Sequence, residues 1–215
     1  MAKQFYPPAA GSVLYLPGYP PGESTIYDKS LQAEAGTPNN GAITGAVWTR
    51  LPSGLCGLDF DGIDDHILLT AKAVPTYLTV HLWIYPTALD DRTAIGHDWS
   101  GAGYDIIFIL ADAGKLTFRA LSVDCTSLTT LTINTWWCID VTLDGANRIL
   151  YLNGVADKTT AAAGSFPADV RAFRIGQTGS GFYSFKGRIG LVKEISGALT
   201  ATQITDVFNQ ERHLF

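Results

Sequence analysis

The segment from His97 to Asp105 combines aromatic, acidic and glycine residues, a composition suited to binding sugars. Sugar rings stack their apolar C–H faces on aromatic side chains, while acidic side chains and backbone groups bind the hydroxyls. Trp99 has polar and glycine neighbours and lacks the alternating apolar neighbours of a core tryptophan. We therefore predict a ligand-binding loop, with packing of Trp99 in the core as the alternative. The predicted binding residues are His97, Asp98, Trp99, Tyr104 and Asp105, together with Tyr183 in the glycine-rich run 179–184.

Residues suited to catalysis are scarce. A retaining glycosidase needs two carboxyl groups about 5–5.5 Å apart, which two glutamates on one face of a strand can supply. No two glutamates lie within four residues of each other, and the Glu-x-Asp-x-x-Glu strand of glucanases is absent. The sequence also has no Gly-x-Ser-x-Gly motif, and its histidines are scattered. We therefore predict no catalytic residue and no enzyme activity.

Composition and charge limit the possible partners. The 215 residues are 47% hydrophobic and 16% charged, which is typical of a globular protein. The formal net charge of −5 and the lack of a Lys/Arg cluster argue against nucleic acid as a partner. No run has the length and pattern of a signal peptide or a membrane span, so we expect no membrane insertion. If the protein acts on a virion or an extracellular surface, it must leave the cell by a route other than a signal peptide in this sequence.

The cysteines do not indicate a disulfide framework or a zinc site. Cys56, Cys125 and Cys138 are odd in number and widely spaced, so neither a disulfide framework nor a zinc site is encoded. We expect buried thiols, with one Cys56–Cys125 or Cys125–Cys138 bridge as the alternative.

The elements that must position these residues are short strands. Apolar runs recur every eight to fifteen residues and end at Gly, Asn, Asp or Pro, which indicates an all-β sandwich. Strands are predicted at 12–16, 43–48, 56–60, 65–69, 77–85, 92–97, 104–110, 115–121, 128–132, 136–143, 148–152, 171–176 and 184–195. In the strand 77–85, alternation places Val80, Leu82 and Ile84 on one face and Thr79, His81, Trp83 and Tyr85 on the other.

Turns and a helix complete the prediction. Asp144-Gly145 and Asn153-Gly154 tolerate the positive φ that tight hairpins require. Thr200 followed by Gln203 forms a capping-box pattern and predicts one short C-terminal helix on the sandwich. Residues 17–41 are predicted to be a long surface connection, and residues 1–11 an N-terminal extension. The whole chain, 1–215, is therefore expected to be one domain.

The order of motifs along the chain resembles the laminin-G-like group of concanavalin A-like lectin/glucanase domains. These motifs are Val13-Leu-Tyr-Leu16, Asp59-Phe-Asp-Gly-Ile-Asp-Asp65, Trp83-Ile-Tyr-Pro86, Leu152-Asn-Gly154, Phe173-Arg-Ile-Gly176 and Phe185-Lys-Gly-Arg-Ile189. The resemblance implies a two-sheet antiparallel jelly-roll sandwich that binds glycans or protein partners, frequently with calcium at one edge. An acidic pair that usually continues the last motif is replaced by Gly190 and Leu191, which removes one common calcium ligand.

On this resemblance, calcium is the expected cofactor. The candidate ligands are Asp28, Asp61, Asp64 and Asp65, because calcium requires several oxygen donors. The alternative is that these aspartates accept hydrogen bonds from turn amides.

The leading functional prediction is a non-catalytic binding or adhesion module that recognises a carbohydrate or a protein surface. A structural or surface-decoration subunit of a phage or virus, with the sandwich as a homo-oligomeric block, is the alternative, and a chain that starts with Met and lacks a leader favours it. A glycan hydrolase or lyase is a third class.

Overall fold

The described residues form two eight-stranded antiparallel sheets, and the predicted two-sheet antiparallel sandwich is confirmed. The structure is a computed structural model that describes residues 10–17, 24–90, 92–97, 107–110, 112–161, 163–165, 170–178, 181 and 183–215. Sheet A contains β1 (Ser12–Leu16), β4 (Val47–Arg50), β5 (Cys56–Asp61), β7 (Leu78–Pro86), β12 (Trp137–Leu143), β13 (Asn147–Leu152), β14 (Val155–Ala161) and β16 (Lys186–Ser196). Sheet B contains β2 (Thr25–Ile26), β3 (Gly41–Thr44), β6 (His66–Ala73), β8 (Arg92–His97), β9 (Ile107–Leu110), β10 (Lys115–Ala120), β11 (Val123–Thr130) and β15 (Val170–Ile175). The helices are α1 (Leu31–Glu34) and α2 (Ala201–Glu211).

The strand order explains how distant segments meet. Sheet A runs β14-β13-β12-β7-β16-β5-β4, with β1 also pairing with β16, and sheet B runs β11-β10-β9-β8-β15-β6-β3-β2. The long strand β16 therefore lies beside β7 on one side and beside β5 and β1 on the other. Side chains from distant parts of the sequence share the middle of sheet A.

Several local predictions differ from the structure; β11, for example, spans Val123–Thr130 where a strand was predicted over 128–132. The predicted strand 43–48 divides at Gly45 into β3 and β4, because Gly45 has a φ of +74° and the chain crosses from one sheet to the other there. Strand β14 was not predicted, since its largely exposed sequence lacks apolar alternation. The connection 17–41 contains the short helix α1, whose N-cap Ser30 accepts a hydrogen bond from the Ala33 amide.

The core lies between the sheets and follows the predicted alternation. Val80, Leu82 and Ile84 of β7 are fully buried in it. The three cysteines are buried and free, so the predicted buried thiols are present and the alternative bridges are not. Neither helix of the described part of the chain is long and apolar enough to cross a membrane.

Helix α2 covers part of the outer face of sheet A, the face turned away from sheet B. The predicted capping box is present: Thr200 accepts from the Gln203 amide, and the Gln203 side chain accepts from the Thr200 amide. Ile204 of the helix is fully buried. The Trp83 ring stacks on Phe208 at 5.8 Å and on Phe215 at 4.4 Å between ring centroids. A small second apolar cluster therefore lies beneath the helix.

A buried charged cluster, which we call the helix clasp, joins α2 to three strands. It consists of His81 of β7, Asp140 of β12, Lys193 of β16 and Glu211 of α2, each at most 4% exposed. His81 Nδ1 lies 2.7 Å from Asp140 Oδ1, and its Nε2 lies 2.7 Å from Glu211 Oε2. Lys193 donates to the other oxygen of Glu211. Because each ring nitrogen of His81 faces a carboxylate oxygen, this arrangement favours the doubly protonated imidazolium form.

The clasp shifts the pKa values of its members. Burial alone would lower the pKa of His81, but the negative charges of Glu211 and Asp140 outweigh it and raise that pKa well above its ordinary value. Burial alone would raise the pKa of Glu211, but the positive charges of His81 and Lys193 lower it. Burial raises the pKa of the adjacent Cys138 thiol to about 12, so this thiol stays protonated. The ionised forms of His81 and Glu211 are thus favoured together.

We expect the protein to lose stability as the pH rises above neutrality. Since the pKa of His81 is higher in the folded chain than its unfolded value of about 6.5, its contribution is complete below that pH and is lost as the pH rises through the folded-state pKa. Within that window the free energy of unfolding should fall by about 1.4 kcal/mol per pH unit. Denaturant unfolding across this range measures the slope. A His81→Gln variant should lack the part of this pH dependence that His81 causes. An equal slope in both proteins would show that His81 is not its source.

Candidate functional site

The acidic turn, residues 61–65, links β5 of sheet A to β6 of sheet B. Asp61 Oδ1 accepts a hydrogen bond from the Ile63 amide at 2.7 Å, and Asp65 Oδ2 accepts one from the Asp61 amide at 2.8 Å. These bonds fold the turn tightly, so that one carboxylate oxygen each from Asp61, Asp64 and Asp65 lies within 4.8 Å of the others. Three of the four predicted calcium ligands therefore come together.

The electrostatics of the acidic turn suit a cation. Asp65 is buried, whereas Asp61 and Asp64 are exposed. Burial raises the pKa of Asp65; the bond from the Asp61 amide opposes this, and the charges of Asp61 and Asp64 add to it. Each carboxylate oxygen that accepts one amide bond still has a second lone pair. The oxygen-only donors and their mutual repulsion fit a hard divalent cation such as calcium.

Asp28 does not join this group. Its Oδ1 accepts from the Tyr15 and Ser30 amides at 2.9 Å, and its Oδ2 accepts from the Asn39 amide at 3.0 Å. Asp28 lies near the Gly41 end of β3, since its backbone N–H donates to Asn40. The acidic turn lies at the other end of β3, where Thr44 pairs with His66. Asp28 therefore has the amide-binding role that was the alternative for these aspartates, and it ties the segment before β3 to β1.

A second loop packs against the acidic turn and completes the turn rim, the edge of the sandwich formed by residues 61–65, 87–90, Arg92 and 183–186. Ser184 Oγ donates to the Ile63 carbonyl at 2.7 Å. Arg92 Nη1 donates to the carbonyls of Gly62 and Ser184, both at 2.9 Å. Sequence reasoning missed Arg92 and Ser184, because nothing in their local sequence shows which distant carbonyls they bind.

Tyr183 is held at this rim. Its side chain is 48% exposed, and its carbonyl accepts from the Thr93 amide at 2.8 Å. Its φ of +58° is uncommon for a bulky residue and carries a conformational cost of about 1–3 kcal/mol. The exposed Tyr183 thus immediately precedes Ser184, whose side chain is bonded to the acidic turn.

The predicted loop 97–105 lies almost wholly outside the described residues. Only the backbone of His97 lies within the described residues; Asp98, Trp99, Tyr104 and Asp105 lie outside them. His97 ends β8, whereas Arg92, which begins that strand, lies at the turn rim. Six strand residues span about 20 Å. That distance separates the backbone of His97 itself from the turn rim, and the binding role of the loop after it stays a prediction.

A laminin-G-type sequence model described as "Concanavalin A-like lectin/glucanases superfamily" matches residues 61–205, more than half of the chain. The chain belongs to this superfamily. The match begins at the first aspartate of the acidic turn and extends into α2. No curated protein matches the sequence.

Solved structures share the concanavalin A-like fold at low sequence identity. Domain 4 of AbnA, an extracellular arabinanase of Geobacillus stearothermophilus, has a TM-score of 0.66 and 21% identity over 78% of this chain and 87% of that one. The Trypanosoma rangeli sialidase has a TM-score of 0.70 and 16% identity over 97% of this chain. The receptor binding domain of botulinum neurotoxin D has a TM-score of 0.70 and 12% identity over 94% of this chain. This chain spans 34% of the sialidase and 53% of the toxin domain. These likenesses show the fold alone.

Proposed function

We propose that the protein is a non-catalytic glycan-binding module that binds its ligand at the turn rim. One observation carries the proposal: the bonds of Ser184 and Arg92 join the acidic turn, with its three clustered carboxylates, to the segment that carries the exposed Tyr183. Aromatic rings receive the apolar faces of sugars, and a few fixed polar groups bind the hydroxyls. The rim offers both kinds of group to a ligand in solvent.

What similar structures bind supports this function. The arabinanase domain was solved with arabinotriose, and the sialidase with sialic acid. Another similar structure belongs to botulinum neurotoxin type C, whose cell entry depends on interaction with two ganglioside molecules. We infer that the same fold is used here for a glycan.

The acids of the rim favour binding over hydrolysis. A glycosidase places two carboxyl groups on either side of the scissile bond, one as the acid and the other as nucleophile or base. Asp61, Asp64 and Asp65 instead share one turn and converge on one point. Calcium held there by Asp61, Asp64 and Asp65 would supply positive charge and open coordination positions for oxygen ligands. Without it the three carboxylates repel each other.

A glycan array with purified protein, in calcium and in EDTA, tests the proposal. We expect binding to a defined glycan that EDTA abolishes, and a loss of about 5- to 150-fold in affinity for Tyr183→Ala, taking base–aromatic stacking of about 1–3 kcal/mol as the guide. Tyr77→Ala removes a ring that is 43% exposed at the other end of β7 and is the matched control. If the array stays silent and the protein forms a discrete oligomer, the structural-subunit function replaces this proposal.

Calcium binding has its own readout. With free calcium about 100-fold above its dissociation constant, the folded state gains about 2.7 kcal/mol, or roughly 5–10 °C in melting temperature. EDTA should remove this gain, and Asp64→Asn should make the protein insensitive to EDTA. An identical transition with calcium and with EDTA would show that the acidic turn holds no calcium.

A further inference from the structure

A row of side chains crosses the part of sheet A that the helix leaves uncovered. Register places Arg188 of β16 opposite Tyr85 of β7 on one side and opposite Asp59 of β5 on the other. Their neighbours Ile84, Leu58 and Ile189 point into the core, so the three side chains lie on the outer face. Trp136, just before β12, continues the row, with its ring 5.5 Å from that of Tyr85. We call Trp136, Tyr85, Arg188 and Asp59 the sheet row.

The sheet row is accessible but ordered. The side chains of Arg188 and Asp59 are 38% and 43% exposed, and the two rings are half-buried. The Arg188 guanidinium lies over the Tyr85 ring at 5.4 Å, and the Trp136 ring packs against Phe215 at 4.8 Å. Phe215 also stacks on Trp83, so the last residue of the chain, beyond the end of α2, packs beside the row. Neighbours on both sides hold the rings in place.

The chemistry of the sheet row matches a neutral sugar. Arg188 Nε donates to Asp59 Oδ2 at 3.2 Å, so their opposite charges cancel while both keep capacity for further hydrogen bonds. A guanidinium donor beside a carboxylate acceptor complements adjacent hydroxyls, and the two rings complement the C–H faces of sugar residues. Neither an anion nor a cation gains a net opposite charge from this pair.

We propose that the sheet row is a second glycan-binding surface, which takes a neutral oligosaccharide without calcium. Adjacent strands are about 4.8 Å apart, so the row from Trp136 to Asp59 extends over about 14 Å, more than one sugar residue covers. The surface shares no residue with the acidic turn. It therefore extends the proposed function to a second site whose binding survives when the turn rim is disabled.

Calorimetric titration with linear neutral arabino-, xylo- and gluco-oligosaccharides, with EDTA present throughout, tests the surface. We expect binding by the wild-type protein and by Asp64→Asn, and a loss of about 5- to 150-fold for Tyr85→Ala, the range equivalent to about 1–3 kcal/mol of stacking. Leu128→Ala, a change at a 67% exposed residue of β11, should bind as the wild type does. Absence of binding in EDTA, or equal affinity of folded Tyr85→Ala and wild type, overturns the proposal.

Asp59→Asn gives a readout that does not depend on how Tyr85→Ala folds. Asp59 is nearly half exposed, so the substitution should leave the fold intact. It leaves the Arg188 charge uncompensated, and the variant should gain affinity for oligogalacturonates, which carry carboxylates, relative to the neutral probes. An unchanged ratio of the two affinities would show that ligands do not contact the Arg188–Asp59 pair, and it would overturn the proposal. If Asp64→Asn or Tyr183→Ala loses only the calcium-dependent binding, that result concerns the turn rim and leaves the sheet row unaffected.

Discussion

Replacing Glu211 with alanine is expected to lower the free energy of unfolding by about 3–5 kcal/mol, because it leaves buried charges without their partner. Glu211 is 2% exposed. Its carboxylate receives His81 Nε2 at 2.7 Å and Trp83 Nε1 at 2.9 Å, and it also pairs with Lys193. After the substitution an indole N–H and the Lys193 ammonium stay buried with no acceptor at that position.

Denaturant unfolding of the variant measures this loss. Gln210→Ala is the matched control, since it changes the neighbouring, exposed residue of the same helix. We expect that control to differ from the wild type by no more than about 0.5 kcal/mol. A loss below about 1 kcal/mol for Glu211→Ala would mean that the clasp does not hold the helix on the sheet.

Gly187→Ala should also destabilise the protein strongly, by about 2–5 kcal/mol. Gly187 has a φ of +132°, and an added Cβ would lie 2.1 Å from the Tyr85 carbonyl oxygen and 3.0 Å from Pro86 Cα. Both contacts are with backbone of the paired strand β7, so a rotamer change cannot relieve them. The strands must separate locally to accept the methyl group.

Gly197→Ala separates the two causes of this loss. Gly197 also has a positive φ, +101°, but a Cβ there would have nothing within 4 Å. Its substitution carries only the conformational cost, about 1–2 kcal/mol. Chemical unfolding of both variants should show the larger loss for Gly187→Ala, and equal losses would remove the steric explanation. The Gly187 variant should also weaken binding at the sheet row, since Arg188 and Tyr85 flank the displaced backbone.

Local signals were sufficient for much of the fold. The Thr200–Gln203 capping box and the Asn153-Gly154 turn act within a few residues, and both are present, with φ values of +51° at Asn153 and +78° at Gly154. Alternation in β7 separated the core face from the outer face. The exposed edge strand β14 gave no such signal, since burial is what produces the alternation.

The sites depend on distant partners, which local patterns do not reveal. His81 is joined to Asp140 and Glu211 across 59 and 130 positions of sequence, so it looked like an ordinary strand histidine. The sheet row needs the order β12-β7-β16-β5, which no single segment encodes. The acidic turn is local, so the sequence was sufficient to group its three aspartates, whereas Asp28 was grouped with them although its amide partners lie elsewhere.

The helix clasp also constrains the order of folding. Its members come from positions 81, 140, 193 and 211, so α2 has no complete docking site until β7, β12 and β16 have paired. Contacts this far apart in sequence form slowly. Before α2 docks, Trp83, Tyr15 and Leu191 would face water as an apolar patch, the kind of surface through which folding intermediates aggregate. Attachment of the last helix is thus the step that protects the nascent sandwich from self-association.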